Sequence, residues 1–159
     1  MKIIYSDMKL PSRFNKSFNK SVFLAGPTPR DDKTQSWRKS AIKILEENEY
    51  NGTIFIPERQ DWKVKFEYED QVEWELEALN KVDTILFWVP RKLTTMPSFT
   101  TNVEFGLFIT DLDVRLLYGR PDDAPENRYL DYLYERERGL EVPIFNKLED
   151  LIKEVANEC

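Results

Sequence analysis

The sequence predicts one α/β domain, built on a doubly wound parallel sheet of five strands. Three observations support this fold class. Apolar runs of strand length alternate with stretches of helical periodicity, several of these runs are apolar at every position, and no linker or repeat divides the 159 residues. Strands that are apolar on both faces are typical of a parallel sheet that helices cover on two sides. The strands are then joined by right-handed crossovers.

The first predicted strand, helix and second strand lie between residues 21 and 56. Residues 21–24 are a strand that ends at Ala25-Gly26-Pro27, where glycine and proline turn the chain. Asn51-Gly52 closes the helix that follows, and the second strand, Thr53–Ile56, stops before Pro57. The apolar residues with helical spacing in this helix are Trp37, Ala41, Ile44 and Leu45.

Three further strands are predicted at residues 84–89, 114–118 and 142–145, with one helix before each and one after the last. Ligands of such sheets bind beyond the carboxyl ends of the strands, so the loops there form the predicted site. The strands that lead into it end at Leu24, Ile56, Val89 and Tyr118. The residues that define the four helices are Val72, Leu76, Leu79 and Val82; Val103, Leu107 and Phe108; Tyr129, Leu130, Leu133 and Tyr134; and Leu148, Leu151, Ile152 and Val155.

Residues 1–20 are predicted to form a basic polar N-terminal arm, or a solvated tail, outside the domain at 21–159. The net charge of −6 argues against a partner that is a nucleic acid polymer. With no histidine and one cysteine, Cys159, the chain lacks the residues of a disulfide framework, a zinc site or a histidine triad, and we expect neither metal nor cofactor. No apolar run reaches the roughly 18 to 20 residues of a membrane span, which predicts a cytoplasmic protein.

The loop after the first predicted strand is the first candidate ligand contact. No Walker-type or dinucleotide-binding glycine pattern occurs, which argues against a nucleoside triphosphatase or a dinucleotide oxidoreductase. Instead Gly26, Pro27, Thr28 and Arg30 offer a close backbone approach, a hydroxyl and a guanidinium. The alternative is a rigid turn with a surface arginine.

Glu104 is the most informative acid. With Thr101 it matches a capping box, in which it would serve only the helix start. At 100° per residue, however, it falls among Val103, Leu107 and Phe108, on the apolar side of the helix. Both a cap and a functional acid therefore remain open at this stage.

A second acid, Glu75, falls inside the apolar stripe of its helix, whereas Glu73 and Glu77 fall outside it. A carboxylate among core positions needs a partner, so Glu75 is either ion-paired or part of a site. Trp74 is predicted to point away from the stripe, and an exposed tryptophan there suggests a subunit contact.

Five segments together resemble the nucleoside 2-deoxyribosyltransferase-like family, from about Ser21 to Asp131. The resemblance implies a flavodoxin-like fold, a catalytic glutamate at Glu104, a second carboxylate at Glu75, and an oligomer whose subunits complete each other's sites. The chain differs from the family pattern in two places. Ser98 stands where family members carry an aspartate, and Val22 or Phe23 stands where they carry a tyrosine. The segments are Phe23-Leu24-Ala25-Gly26-Pro27, Trp74-Glu75, Asp83-Thr84-Ile85-Leu86-Phe87-Trp88-Val89-Pro90, Thr101-Asn102-Val103-Glu104-Phe105-Gly106, and Gly119-Arg120-Pro121 with Tyr129-Leu130-Asp131.

The implied reaction is N-glycosidic cleavage and transfer on 2′-deoxynucleosides or their 5′-monophosphates through an ester on Glu104. Asn102 is also expected to contact the substrate. Trp88 would stack on the base or belong to the core, and Glu58 would contact the base edge or lie on the surface. Two alternatives are a nucleotide N-glycosidase, which hydrolyses the bond, and a non-catalytic module that binds a nucleotide-derived signal.

Overall fold

The computed structural model describes residues 1–11, 20–31, 33–61 and 63–157 of the chain. Its centre is a five-stranded, all-parallel sheet in the order β1-β3-β2-β4-β5. The strands are β1 (Lys2–Tyr5), β2 (Ser21–Ala25), β3 (Thr53–Ile56), β4 (Thr84–Trp88) and β5 (Arg115–Gly119). Their carboxyl ends share one edge of the sheet, so the predicted α/β parallel fold is confirmed.

Two strands differ from the prediction although the count of five is the same. Lys2–Tyr5, which the sequence analysis placed in a polar arm, pairs in parallel with β3 at one sheet edge. Residues 12–19 of that arm lie outside the described residues. At the other edge, residues 142–145 form no strand, because pairing is limited to a single parallel bridge between Gly119 and Phe145.

Five helices cover the two faces of the sheet. They are α1 (Trp37–Glu47), α2 (Tyr68–Leu79), α3 (Phe99–Phe108), α4 (Arg128–Arg138) and α5 (Leu148–Ala156). One apolar core joins α1 and α5 to the sheet, and a second core joins α2, α3 and α4 to the opposite face. None of the helices in the described part of the chain has the length and apolar character needed to cross a membrane.

Trp74 is buried, so its predicted exposure is wrong. Only 7% of it is exposed. Its ring centroid lies 6.2 Å from that of Phe23 and 6.4 Å from that of Phe55, and its Nε1 donates to the carbonyl of Met8 at 3.0 Å. The segment after β1 therefore covers a side of α2 that the apolar stripe alone would leave open.

Candidate active site

A cavity of about 220 Å³ lies at the carboxyl edge of the sheet, between α2 and α3. It is bordered by the loops that follow β2, β3 and β4, in agreement with the general position of sites in parallel sheets. The residues that determine its character are Gly26, Pro27, Thr28, Arg30, Tyr68, Gln71, Glu75, Phe99 and Glu104.

Glu104 lies in the interior of α3, where only 8% of it is exposed. The helix begins at Phe99 after Ser98, an N-cap residue with φ 67°, so Thr101 and not Glu104 stands at the third helical position. The capping-box interpretation is therefore wrong, since that motif requires the glutamate at this position.

The burial of Glu104 was expected, but two of the three apolar residues expected on the same side of the helix were wrong. Val103 and Leu107 are 62% and 58% exposed. The buried side of α3 instead carries Thr101, Glu104, Phe105 and Phe108. Glu104 thus shares its face with core aromatics, and its carboxyl group reaches the cavity.

Glu75, on α2, lies beside Glu104 at the cavity, and the two side chains share a hydrogen bond. The two carboxyl groups are therefore in direct contact. Gln71 supports the pair from one turn earlier, because its Nε2 donates to Glu75 Oε1 at 2.5 Å and to the carbonyl of Pro57 at 3.3 Å. The two acids that the sequence singled out are therefore brought together.

The carboxyl pair holds its protons unusually tightly. Burial raises the pKa of Glu104 to about 8, and the neighbouring charge and hydrogen bond of Glu75 act in the same direction. Burial also raises the pKa of Glu75, against the hydrogen bonds from Gln71 and Glu104. Near neutral pH the pair therefore keeps a proton that two exposed carboxyl groups would release, and this proton lies in the hydrogen bond between Glu104 and Glu75.

The loop after β2 forms another part of the cavity wall, and Gly26 is required at its start. Its φ is 145°, and a Cβ there would lie 2.1 Å from the carbonyl oxygen of Trp88. The side chains of Trp37 and Arg38, at the start of α1, hold the loop, since they donate to the carbonyls of Pro27 and Gly26 at 3.2 and 2.6 Å. The turn is thus rigid and also borders the cavity.

Arg30 lies on the same wall. Its guanidinium carbon lies 5.7 Å from the ring centroid of Phe99, and its backbone N–H donates to the carbonyl of Thr95. Within the described residues no carboxylate forms an ion pair with it. Arg30 therefore offers its charge to the cavity, where Thr28 adds a hydroxyl.

Three predicted ligand contacts lie elsewhere. Trp88 is 5% exposed and packs in the core with α1 and α5. Glu58 accepts hydrogen bonds from Ser36 and Arg38, both at 2.6 Å, and borders a neighbouring polar cavity. The side-chain oxygen of Asn102 accepts from Arg91 at 2.7 Å.

Four site residues were missed by the sequence analysis: Arg38, Tyr68, Gln71 and Phe99. Tyr68 and Phe99 line the cavity with 74% and 69% of their surface exposed. They start α2 and α3 respectively, and no periodicity marks such positions. Arg38 carried a signal, because it stands three residues before Ala41 and seven before Leu45, on the apolar side of α1.

Solved structures with a similar fold include two of comparable length. A 2-desoxiribosyltransferase from Leishmania mexicana has a TM-score of 0.57 at 15% sequence identity, over 88% of this chain and 99% of that one. A conserved protein from Enterococcus faecalis V583 has a TM-score of 0.50 at 13% identity, over 86% and 87%. These likenesses concern the fold. No curated protein sequence matches the chain.

The sequence itself matches one family. Residues 19–122 correspond to the family described as nucleoside 2-deoxyribosyltransferase like. The matched segment is more than half of the chain and includes β2 to β5, both carboxyl groups of the pair and the Gly26–Arg30 loop. The chain belongs to the nucleoside 2-deoxyribosyltransferase-like family.

Proposed function

We propose that this protein cleaves the N-glycosidic bond of 2′-deoxynucleosides or their 5′-monophosphates and transfers the sugar through a covalent ester on Glu104. The observation that carries the proposal is the buried, hydrogen-bonded carboxyl pair at the cavity wall. A pair of carboxyl groups suits this chemistry, because the transition state at C1′ resembles an oxocarbenium ion that one ionised acid stabilises and traps.

The first step begins with transfer of the shared proton from Glu104 to Glu75 along their hydrogen bond. The Glu104 carboxylate attacks C1′, an ester bond forms, and the C1′–N bond breaks. Its electron pair stays on the base nitrogen, which accepts the proton from Glu75. After this transfer, burial helps Glu75 to hold the proton at a pH where an exposed carboxyl group is ionised, until the departing base accepts it.

In the second step an acceptor base attacks C1′ of the ester. The C1′–O bond breaks, the Glu104 carboxylate is released, and Glu75 takes up the proton that the incoming nitrogen loses. Two displacements at the same carbon give net retention. If water replaces the base, the same site is an N-glycosidase, which is the second candidate function.

The 5′ end of the substrate is proposed to lie at the Gly26–Arg30 wall. Arg30 and Thr28 border the cavity there. A guanidinium without an acidic partner among the described residues favours an anionic group, so a 5′-monophosphate should bind better than a nucleoside. Tyr68 and Phe99, both exposed at the cavity, are proposed to replace Trp88 as stacking surfaces for the base.

The proposal is tested by measuring base release from 2′-deoxynucleosides and from their 5′-monophosphates, each with and without a second base. Exchange of bases supports a transferase, and release that depends only on water supports a hydrolase. A 2′-fluoro-2′-deoxynucleoside should leave a sugar adduct on Glu104 in mass spectrometry, because the fluorine slows ester breakdown. Turnover of the ordinary substrate with no adduct on the wild type would contradict the covalent route.

We also propose that the protein is a homo-oligomer. Phe99, Val103 and Leu107 form an exposed apolar stripe along the outer face of α3 at intervals of four residues. Because Phe99 also borders the cavity, a second copy on this face would lie beside the site. A sedimentation measurement tests this, and a monomer at all concentrations would contradict it.

A further inference from the structure

We propose that Arg38 is a positioning residue for this reaction: it fixes the wall formed by Gly26 and Thr28, and its positive charge allows the buried acid pair to carry one negative charge. The proposal rests on the proposed function, because Arg38 acts through Glu75 and Glu104. Arg38 is only 1% exposed, so it acts without contacting the substrate.

The first part of the role follows from the hydrogen bonds of the guanidinium. Nε donates to the carbonyl of Leu24 at 2.9 Å, Nη2 to the carbonyl of Gly26 at 2.6 Å, and Nη1 to Thr28 Oγ1 at 3.1 Å. These three acceptors belong to alternate residues along the chain, from the end of β2 into the cavity wall. A planar fork with fixed donor directions sets their spacing, which a single ammonium group cannot do.

The second part follows from the charges around Arg38. Glu58, from the segment after β3, forms an ion pair with it at 2.6 Å, and the Glu58 side chain is 16% exposed. Glu75 on α2 and Glu104 on α3 line the same cavity as the wall that Arg38 holds. The positive charge of Arg38 lowers the pKa of both acids. Arg30 is the cation on the cavity wall itself. The positive charge of Arg38 therefore acts both on its ion-pair partner Glu58 and on the acid pair.

This sharing predicts pH effects of opposite sign. Glu58→Gln removes the counter-ion but keeps the bonds of Arg38 to Gly26 and Thr28, so more of the positive charge acts on the pair. The acidic limb of the pH–rate profile should then move down by about 0.5–1 pH unit. Arg38→Met should move it up by a similar amount.

Charge and positioning are separated by Arg38→Lys, which keeps the cation but loses the fork. We expect kcat to fall by about tenfold or more, with the acidic limb near its wild-type position. A scaffold residue without influence on the acids would change rate or stability in all variants and leave the limb in place. Lys43→Met is the matched control, because Lys43 lies on the same helix and its side chain is 75% exposed.

The experiment measures pH–rate profiles of base release for the full chain and these variants, beside carboxyl-carbon NMR titration of Glu75 and Glu104. Opposite shifts in Glu58→Gln and Arg38→Met support the proposal. Should Arg38→Met fail to fold, Glu58→Gln and Arg38→Lys still test the proposal. If the acidic limb of Glu58→Gln stays at its wild-type position, the proposal is overturned. Should the wild type release no base at all, the proposed function fails, whereas the NMR titration still tests the electrostatic effect of Arg38 independently.

Discussion

Replacing Glu104 by glutamine should stop glycosidic cleavage and also stabilise the fold at neutral and alkaline pH. Glutamine has nearly the same shape, and its amide donates to Glu75 as the protonated acid does. It does not ionise and cannot form the ester. We expect a rate loss of roughly 10³-fold or more, about 4 kcal/mol of transition-state stabilisation.

The stability effect follows from proton linkage. In the folded chain the pKa of Glu104 is about 8, above its ordinary value of 4.5, so folding retains a proton that the unfolded chain releases. The contribution to stability is fully present below pH 4.5 and is lost as the pH rises through about 8. If Glu104 alone carried the difference, it would amount to about 5 kcal/mol. Because Glu75 shares the proton, we expect Glu104→Gln to be more stable by about 1–3 kcal/mol at pH 8.

Thermal unfolding of both proteins between pH 4.5 and 8.5 measures this difference. The two melting temperatures should nearly coincide at the acidic end and separate by about 3–10 °C at the alkaline end, with the variant higher. Glu73→Gln, an exposed acid on α2, is the control and should show no such divergence. A variant that is less stable than the wild type at pH 8 would refute the buried, protonated pair.

Five further substitutions test the site, the loop at its wall and the proposed oligomer. Arg30→Ala should remove about 1.5–3 kcal/mol of preference for a 5′-monophosphate, measured as a ratio of kcat/KM values, and an equal loss on nucleosides would contradict it. Glu75→Gln should slow base release by about 10²-fold or more and abolish the alkaline limb of the pH–rate profile. Gly26→Ala should lower the free energy of unfolding by about 2–4 kcal/mol, whereas Gly106→Ala, with open space around it, should raise it slightly. Val103→Glu should dissociate the oligomer in sedimentation, with its melting temperature nearly unchanged.

The burial of the two acids was predictable because helical periodicity is local information. Glu75 and Glu104 were singled out by their angular position among apolar neighbours, and the parallel order of the strands placed their helices at one edge. Val103 and Leu107, which were expected beside Glu104 on the buried side, face outwards instead. An apolar stripe on a helix indicates a face that will be covered, but it does not say whether the sheet or another chain covers it.

Errors elsewhere came from contacts between distant parts of the chain. Trp74 is buried because Met8 accepts its N–H, across 66 positions in the sequence. Glu58 pairs with Arg38, on another element, and does not border the cavity that holds the two acids. Trp88 lies at the end of a strand, where both a core position and a site position are compatible with the pattern. Contacts between distant segments cannot be predicted from the residue spacing within one segment.

The segment that follows β1, at one edge of the sheet, affects which positions tolerate substitution. The N–H of Ser6, just after β1, donates to the carbonyl of Glu58 at 3.0 Å, and the Asp7 carboxylate accepts from the N–H groups of Gln60 and Asp61 at 3.0 and 2.9 Å. Burial opposes ionisation of Asp7, yet these backbone donors hold the pKa of its carboxyl group below the usual range. Residues at a sheet margin usually accept substitution freely. Here Ser6 and Asp7 hold the backbone at and after Glu58, the counter-ion of Arg38, in place. Substitutions at Ser6 and Asp7 should therefore alter the rate of the reaction as well as the stability of the fold.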